Sequence, residues 1–261
     1  MREIRSFIAF RNISRIHYFI YYFIKCFFIF KNPLKFIYCY IKRQQPPDNI
    51  IELRNGNKIF LSSHAHDIVT VFIIFAKNIY GSVAKDSIVV DIGANIGGFS
   101  LFAAISGAKK VFAYEPNPEA YRVLQKNITQ NNFDNIIKCF NLAVSDKENI
   151  ELKFPINSSP YSKNLNADQL HDYQMITTTT LQNILIDNNL DFIDFLKIDC
   201  EGCEFEVLYN LPPGISERIK NIRMEFHGHY GDNVIDLIEY LAKYNFQVTY
   251  HFRNMIWFAK S

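Results

Sequence analysis

The chain has 261 residues, 49% of them hydrophobic and 21% charged, with a formal net charge of +2. That is the composition of a folded chain, and it excludes a disordered, collagen-like or low-complexity polymer. Five cysteines, an odd number, do not describe a disulfide framework and point to a reducing, cytoplasmic setting rather than a secreted one.

The near-neutral total conceals an asymmetry. Residues 1–43 hold nine Lys or Arg against one acid, Glu3, leaving 19 of the 28 bases and 25 of the 26 acids for the rest. Residues 7–41 are dense in large apolar side chains, including His17–Ile24 and Cys26–Phe30. The longest run, Ile16–Phe30, is broken by Lys25 and bounded by Arg15 and Lys31. It falls short of the roughly 20 uncharged apolar residues that a spanning helix needs. No small-residue cleavage site marks a secretory signal. Pro33 should break any helix near Asn32. Two readings follow. One is a basic, aromatic helical pair that lies on a membrane surface through residues 7–41, so that the protein is peripheral there. The other is an extension that packs on the rest of the chain or on a second subunit. The apolar density argues against a nucleic-acid arm.

Gln44–Asp48 reads as a linker. Ile50–Arg54 and Lys58–Leu61 flank Asn55-Gly56-Asn57, a hairpin signal, and Asp67–Ala76 reads as a helix. The division expected is an N-terminal extension at 1–43, a lead-in at 44–86 and an α/β domain at 87–261.

From Ser87 strands and helices alternate. Strands are predicted at Ile88–Ile92, Lys110–Tyr114, Ile136–Val144, Ile150–Phe154, Phe192–Cys200 and Asn221–His227. Helices are predicted at Phe99–Ser106, Pro118–Gln130 with Asn117 as its cap, Glu204–Asn210 and Val234–Tyr244. Pro155–Thr180 has no clear period and reads as a substrate-facing excursion. Phe246–Tyr250 and Met255–Ala259 close the chain as a hairpin. The pattern predicts an α/β fold, a mostly parallel sheet with an antiparallel hairpin at its end.

Val90-Asp-Ile-Gly-Ala-Asn-Ile-Gly-Gly98 lies where the first strand hands over to the first helix, the edge at which open α/β sheets bind ligands. A dinucleotide fingerprint would put glycine at position 95, where this chain has Asn95, and no G-K-[ST] of a P-loop follows. A ligand without a pyrophosphate tolerates that change, and S-adenosylmethionine (SAM) is one. Glu115 ends the second strand and can accept both hydroxyl protons of a ribose. Asp199 and Glu201 follow a later strand and should share the edge with Asp91, although acids there also suit a helix start. Glu225, His227 and His229 come after the next strand, facing the acceptor or forming a surface turn.

With these residues in order, the chain resembles the FkbM-type methyltransferases, a branch of the class I SAM-dependent enzymes. The resemblance rests on Val90–Gly97, Tyr114-Glu-Pro-Asn-Pro118, Asn141-Leu-Ala-Val-Ser-Asp146 and Lys197-Ile-Asp-Cys-Glu-Gly-Cys-Glu204, over roughly residues 50–260. It implies a Rossmann-like sheet of seven strands with helices on both faces. It also implies SAM across the first strand ends, with Asp91, Gly93, Asn95 and Gly97 at the cofactor, Glu115 on the ribose, and Ser145 and Asp146 near the adenine. The reaction implied is O-methylation of a hydroxyl on a sugar, glycolipid or other small metabolite. Cys200 and Cys203 replace the family's usual small aliphatic residues, and a packing role suits this single C-x-x-C better than zinc or redox chemistry.

A hydroxyl acceptor needs a base, for which Asp199 ranks first and His227 second, with Glu201 beside them. No metal is expected. Asp199, Glu201 and Glu225 would be the set for a divalent ion if the acceptor were a diol. Nucleic-acid methylation is disfavoured, because Leu211-Pro-Pro-Gly214 falls too late to serve as an N-P-P-Y motif. The contrasting reading is a degenerate SAM-binding module tethered by its N-terminal extension. A dehydrogenase is the other enzyme option, and the loss of glycine at 95 weighs against it.

Overall fold

Strands buried on both faces need helices above and below, and the alternation after Ser87 supplies them. A computed structural model describes residues 19–155, 173–227 and 233–261, and the chain forms two units, Met1–Asn78 and Ile79–Ser261.

The first unit holds α1 (residues 19–29), α2 (Pro33–Lys42), a hairpin of β1 (Ile50–Glu52) and β2 (Lys58–Phe60), and α3 (Asp67–Val71), which continues as a π-helical turn over Phe72–Lys77. The break expected before Pro33 is present, and Pro33 takes the first position of α2, where its missing N–H costs nothing. The inward faces of the helices are aromatic: Phe30 stacks on Phe36 at 3.7 Å and Tyr40 on Phe72 at 4.0 Å. Main-chain bonds tie the hairpin to the helices, Lys31 N–H to Glu52 O and Arg54 N–H to Ile29 O, both 2.9 Å. Residues 44–78 thus group with the helices in the first unit, which ends at Asn78.

The second unit is built on a seven-stranded sheet. Its strands are β3 (Ile88–Ile92), β4 (Lys110–Tyr114), β5 (Ile137–Phe140), β9 (Phe195–Ile198), β10 (Asn221–Glu225), β11 (Phe246–Phe252) and β12 (Met255–Lys260), in the order β11-β12-β10-β9-β3-β4-β5. Six strands point the same way, while β12, between β10 and β11, runs antiparallel to both. This is the expected mixed α/β sheet with its terminal hairpin. The chain leaves β3 towards β4 and β5, then returns to β9 on the other side. The crevice between β3 and β9 is thus the topological switch point, where such sheets bind ligands.

Helix α4 (Gly98–Ile105) is apolar along nearly its whole length and buried. In α5 (Pro118–Gln130), Ala120, Leu124, Asn127 and Ile128 form the buried stripe. Asn117 caps it as predicted, its Oδ1 accepting from the N–H groups of Glu119 and Ala120 at 3.0 Å each. The single strand expected over Ile136–Val144 is two: β5 ends at Phe140, and β6 (Ala143–Val144) joins a separate sheet with β7 (Glu151–Pro155) and β8 (Tyr173–Thr179). The cause is Asn141, whose Nδ2 turns back to donate to the carbonyls of Glu115 and Pro116 at 2.9 and 3.0 Å. The excursion predicted over 155–180 ends in β8, and its residues 156–172 lie outside the described residues. Helices α6 (Leu181–Asp187), α7 (Glu204–Tyr209), α8 (Pro213–Ser216) and α9 (Val234–Ala242) complete the unit.

Candidate active site

The turn after β3 is shaped by how closely the exit of β9 passes it. A Cβ on Gly93 would lie 1.9 Å from the Asp199 carbonyl oxygen, so no side chain fits there. Gly93 (φ 72°), Asn95 (φ 51°) and Gly97 (φ 84°) all adopt left-handed backbone. Asn95 thus keeps a conformation that asparagine tolerates better than most residues, and the missing glycine leaves the turn intact.

Glu115, just past β4, closes this turn. Its Oε2 accepts the N–H of Asn95 at 2.7 Å and its Oε1 the N–H of Asn117 at 2.8 Å. Each oxygen keeps a second lone pair for a ligand hydroxyl. Burial pushes its pKa up to about 7, against the pull of those two N–H groups.

Asp91 is fully buried beneath the turn. Its Oδ2 accepts from Ser100 Oγ at 2.6 Å and its Oδ1 lies 3.1 Å from Lys197 Nζ. Lys197 also donates to Gly93 O at 2.6 Å. The pair is a strut that ties the glycine turn to β9. In this position Asp91 shapes the glycine turn from below. Lys197 carries no role in the sequence reading, although a lysine inside the buried strand Phe195–Ile198 is itself a signal.

At the ends of β9 and β10 lies a second group. Tyr80, 4% exposed, donates to Asp199 Oδ2 at 2.7 Å, and Lys197 Nζ is 3.9 Å from the same oxygen. Asp199 Oδ1 faces His227 Nε2 at 4.0 Å, and Glu201 Oε1 lies 3.6 Å from that nitrogen. The other ring nitrogen, Nδ1, is 2.8 Å from Glu204 Oε1, on a side chain with no exposure. Burial alone would lower the pKa of His227. Glu204 first, then Asp199 and Glu201, outweigh it, and the net direction is upward. Burial likewise works to raise Glu204, but the bond to His227 and backbone N–H groups hold it below the usual carboxylate value. Glu225 is pushed up to about 6 by burial and then by the charge of Asp199.

The structure brings Asp199, Glu201 and His227 together, and adds Tyr80 and Glu204, which the sequence reading did not single out. His229 lies outside the described residues. Among the described residues, the trio whose ligand atoms come within 4.8 Å of one another is Asp199, Glu204 and His227, not the set with Glu201 and Glu225. Cys200 and Cys203, expected as packing residues, are joined as a disulfide, because the turn between them brings their Cα atoms to 5.7 Å.

Beside the crevice is a cavity of about 430 Å³, which Gly93, Tyr114, Pro116, Ser145, Asp146 and Cys200 help to line. That volume suits a small-molecule ligand. Ser145 is fixed there by its bond to Glu206 Oε1 at 2.6 Å.

Residues 91–248 match the family described as the methyltransferase FkbM domain, which is more than half of the chain. The chain belongs to the FkbM methyltransferase family. It is 28% identical over 185 residues to methyltransferase sdnD of Sordaria araneosa, a match covering 58% of this chain and 71% of that one. It is 26% identical over 168 residues to methyltransferase 1 of Beauveria bassiana, covering 56% and 67%. The crystal structure of methyltransferase FkbM from Methylobacillus flagellatus aligns with a TM-score of 0.48 at 16% identity, over 88% of this chain and 59% of that one. The chain thus spans less than two thirds of that FkbM protein. The matched methyltransferase FkbM domain contains the glycine turn and Glu115 and leaves Tyr80 outside it.

Proposed function

We propose that this methyltransferase uses SAM to methylate a hydroxyl on a sugar, glycolipid or other small metabolite. The observation that carries the reading is the imidazole of His227, braced at Nδ1 by buried Glu204 and turned at Nε2 towards the edge that Asp199 and Glu201 share.

The turn fits SAM on two counts. Glu115 retains lone pairs for two ribose hydroxyls, and the adjoining cavity offers Ser145 and Asp146 to an adenine. SAM supplies a methyl group on a sulfonium, an electrophile that needs no further activation by the protein. What the protein must supply is a nucleophile held in line and relieved of its proton. Glu204 fixes the imidazole orientation, so that neutral His227 accepts the hydroxyl proton at Nε2. Asp199 and Glu201 then stabilise the imidazolium. Asp199 is less available to a hydroxyl, since its Oδ2 already accepts from Tyr80 and lies near Lys197.

The test is calorimetry with SAM together with methyl transfer to a panel of hydroxyl acceptors. Micromolar binding that Glu115→Ala abolishes supports the cofactor assignment. His227→Asn should bind SAM normally and lose transfer. Full activity in His227→Asn overturns the base assignment. Tight SAM binding with no transfer to any acceptor favours the degenerate binding module.

A further inference from the structure

The helices of the first unit carry two faces, and only one is used inside the unit. Inward lie Cys26, Phe30, Phe36 and Cys39, all buried. Outward on α1 lie Ile20, Ile24, Phe27 and Phe28, and outward on α2 lie Leu34, Tyr38 and Ile41. Both sets follow the i, i+4, i+7 spacing of a single helical stripe. Phe28 is 76% and Leu34 71% exposed. Single exposed apolar residues are ordinary, but a stripe of large ones along each of two helices marks a contact surface.

We propose that this face docks on an anionic lipid surface. Charge selects the occupant. Residues 19–43 contain Lys25, Lys31, Lys35, Lys42 and Arg43 and no acid. Lys31 and Lys35 are paired within the unit, with Glu52 at 2.7 Å and Asp48 at 3.1 Å. Lys25 and Lys42 lie on the helices and Arg43 caps α2, Lys25 and Arg43 each over a tyrosine ring, preceded in the sequence by Arg2, Arg5, Arg11 and Arg15. A second copy of the chain would set these bases against themselves. Residues 1–18, four Arg against Glu3, extend the same excess of positive charge along the sequence. An anionic bilayer answers both halves of the surface at once, taking the apolar stripes into its acyl boundary and the bases among its head groups. The depth is interfacial: among the described residues no helix is long and apolar enough to cross a membrane. The matched methyltransferase domain starts at residue 91, so this surface belongs to a part of the chain that the family domain does not include.

The experiment is co-sedimentation of the full chain with phosphatidylcholine vesicles, with and without phosphatidylglycerol. Binding should need the anionic lipid and weaken as salt is raised. Replacing Ile24 and Phe28 by Glu should cut binding by roughly tenfold for each side chain withdrawn from the bilayer. A second variant, Lys42→Glu with Arg43→Glu, keeps the apolar face and should also lose anionic-vesicle binding. Circular dichroism and melting confirm that both variants are folded. Equal binding to both vesicles, binding to neither, or a dimer that Ile24→Glu/Phe28→Glu dissociates without any vesicle binding overturns the proposal.

Discussion

Protonating Glu115 should weaken cofactor binding, and the surroundings of its carboxylate set the pH at which this occurs. The side chain is 5% exposed, and burial pushes its pKa up from 4.5 to about 7 even though two backbone N–H groups favour the charge. A carboxylate that accepts two ribose hydroxyls must be ionised. Below about pH 7 binding therefore has to release a proton, and affinity falls tenfold per unit. Between about pH 8 and pH 6 the loss should be about tenfold, or ~1.4 kcal/mol. The sign for the free protein is the opposite of that for a salt-bridged acid. Because the folded pKa is raised, this group's contribution to stability is greatest below 4.5 and is lost as pH rises through about 7, by roughly 3 kcal/mol. Cofactor hydroxyls relieve that cost, so thermal stabilisation by SAM should grow with pH. Calorimetry in two buffers of different ionisation enthalpy counts the proton directly: nearly one released at about pH 6, and almost none at about pH 8. Glu115→Gln should bind weakly and without this slope. A flat affinity in the native chain, or the same slope in Glu115→Gln, would refute the argument.

Glu204→Gln should slow methyl transfer by roughly tenfold to a hundredfold with SAM affinity unchanged. The reaction needs neutral His227, so the native rate should rise with pH through a value above 6.5, and the variant's rise should shift to lower pH in a kcat profile. Lys197→Met strands the buried carboxylate of Asp91 and should cost about 3–5 kcal/mol in urea unfolding, with much of it regained when Asp91→Asn is added. Gly93→Ala drives a Cβ to 1.9 Å from the Asp199 carbonyl and should destabilise the domain by about 3 kcal/mol or more. Gly214→Ala, with nothing within 4 Å of its Cβ and no left-handed backbone, should leave the melting temperature nearly unchanged.

The site's two halves differ in how legible they are, and the reason is the range of the contacts that make them. The glycine turn, Asn117 and Glu115 are legible because their roles depend on neighbours within one strand-turn-helix unit, where residue type and φ are directly linked. Asp91 is placed correctly at the strand end, but its side-chain partner is not local. Lys197 stands opposite it only because β3 and β9 pair in that register, across more than a hundred residues of chain. Glu204 and His227 meet through the pairing of β9 with β10, and Tyr80 enters from ahead of the first strand, outside the matched family region. Spacing along the chain carries none of this. The same cause reorders the two candidate bases. Chain position alone favours Asp199, which sits nearest the turn, but position says nothing of donors. Tyr80 donates to Asp199 and Lys197 lies beside the same oxygen, so that oxygen is already engaged, whereas the buried carboxylate of Glu204 raises the proton affinity of His227. The assignment of the base is therefore a statement about strand register, and the variant that moves the pH profile, Glu204→Gln, is the one that reads it.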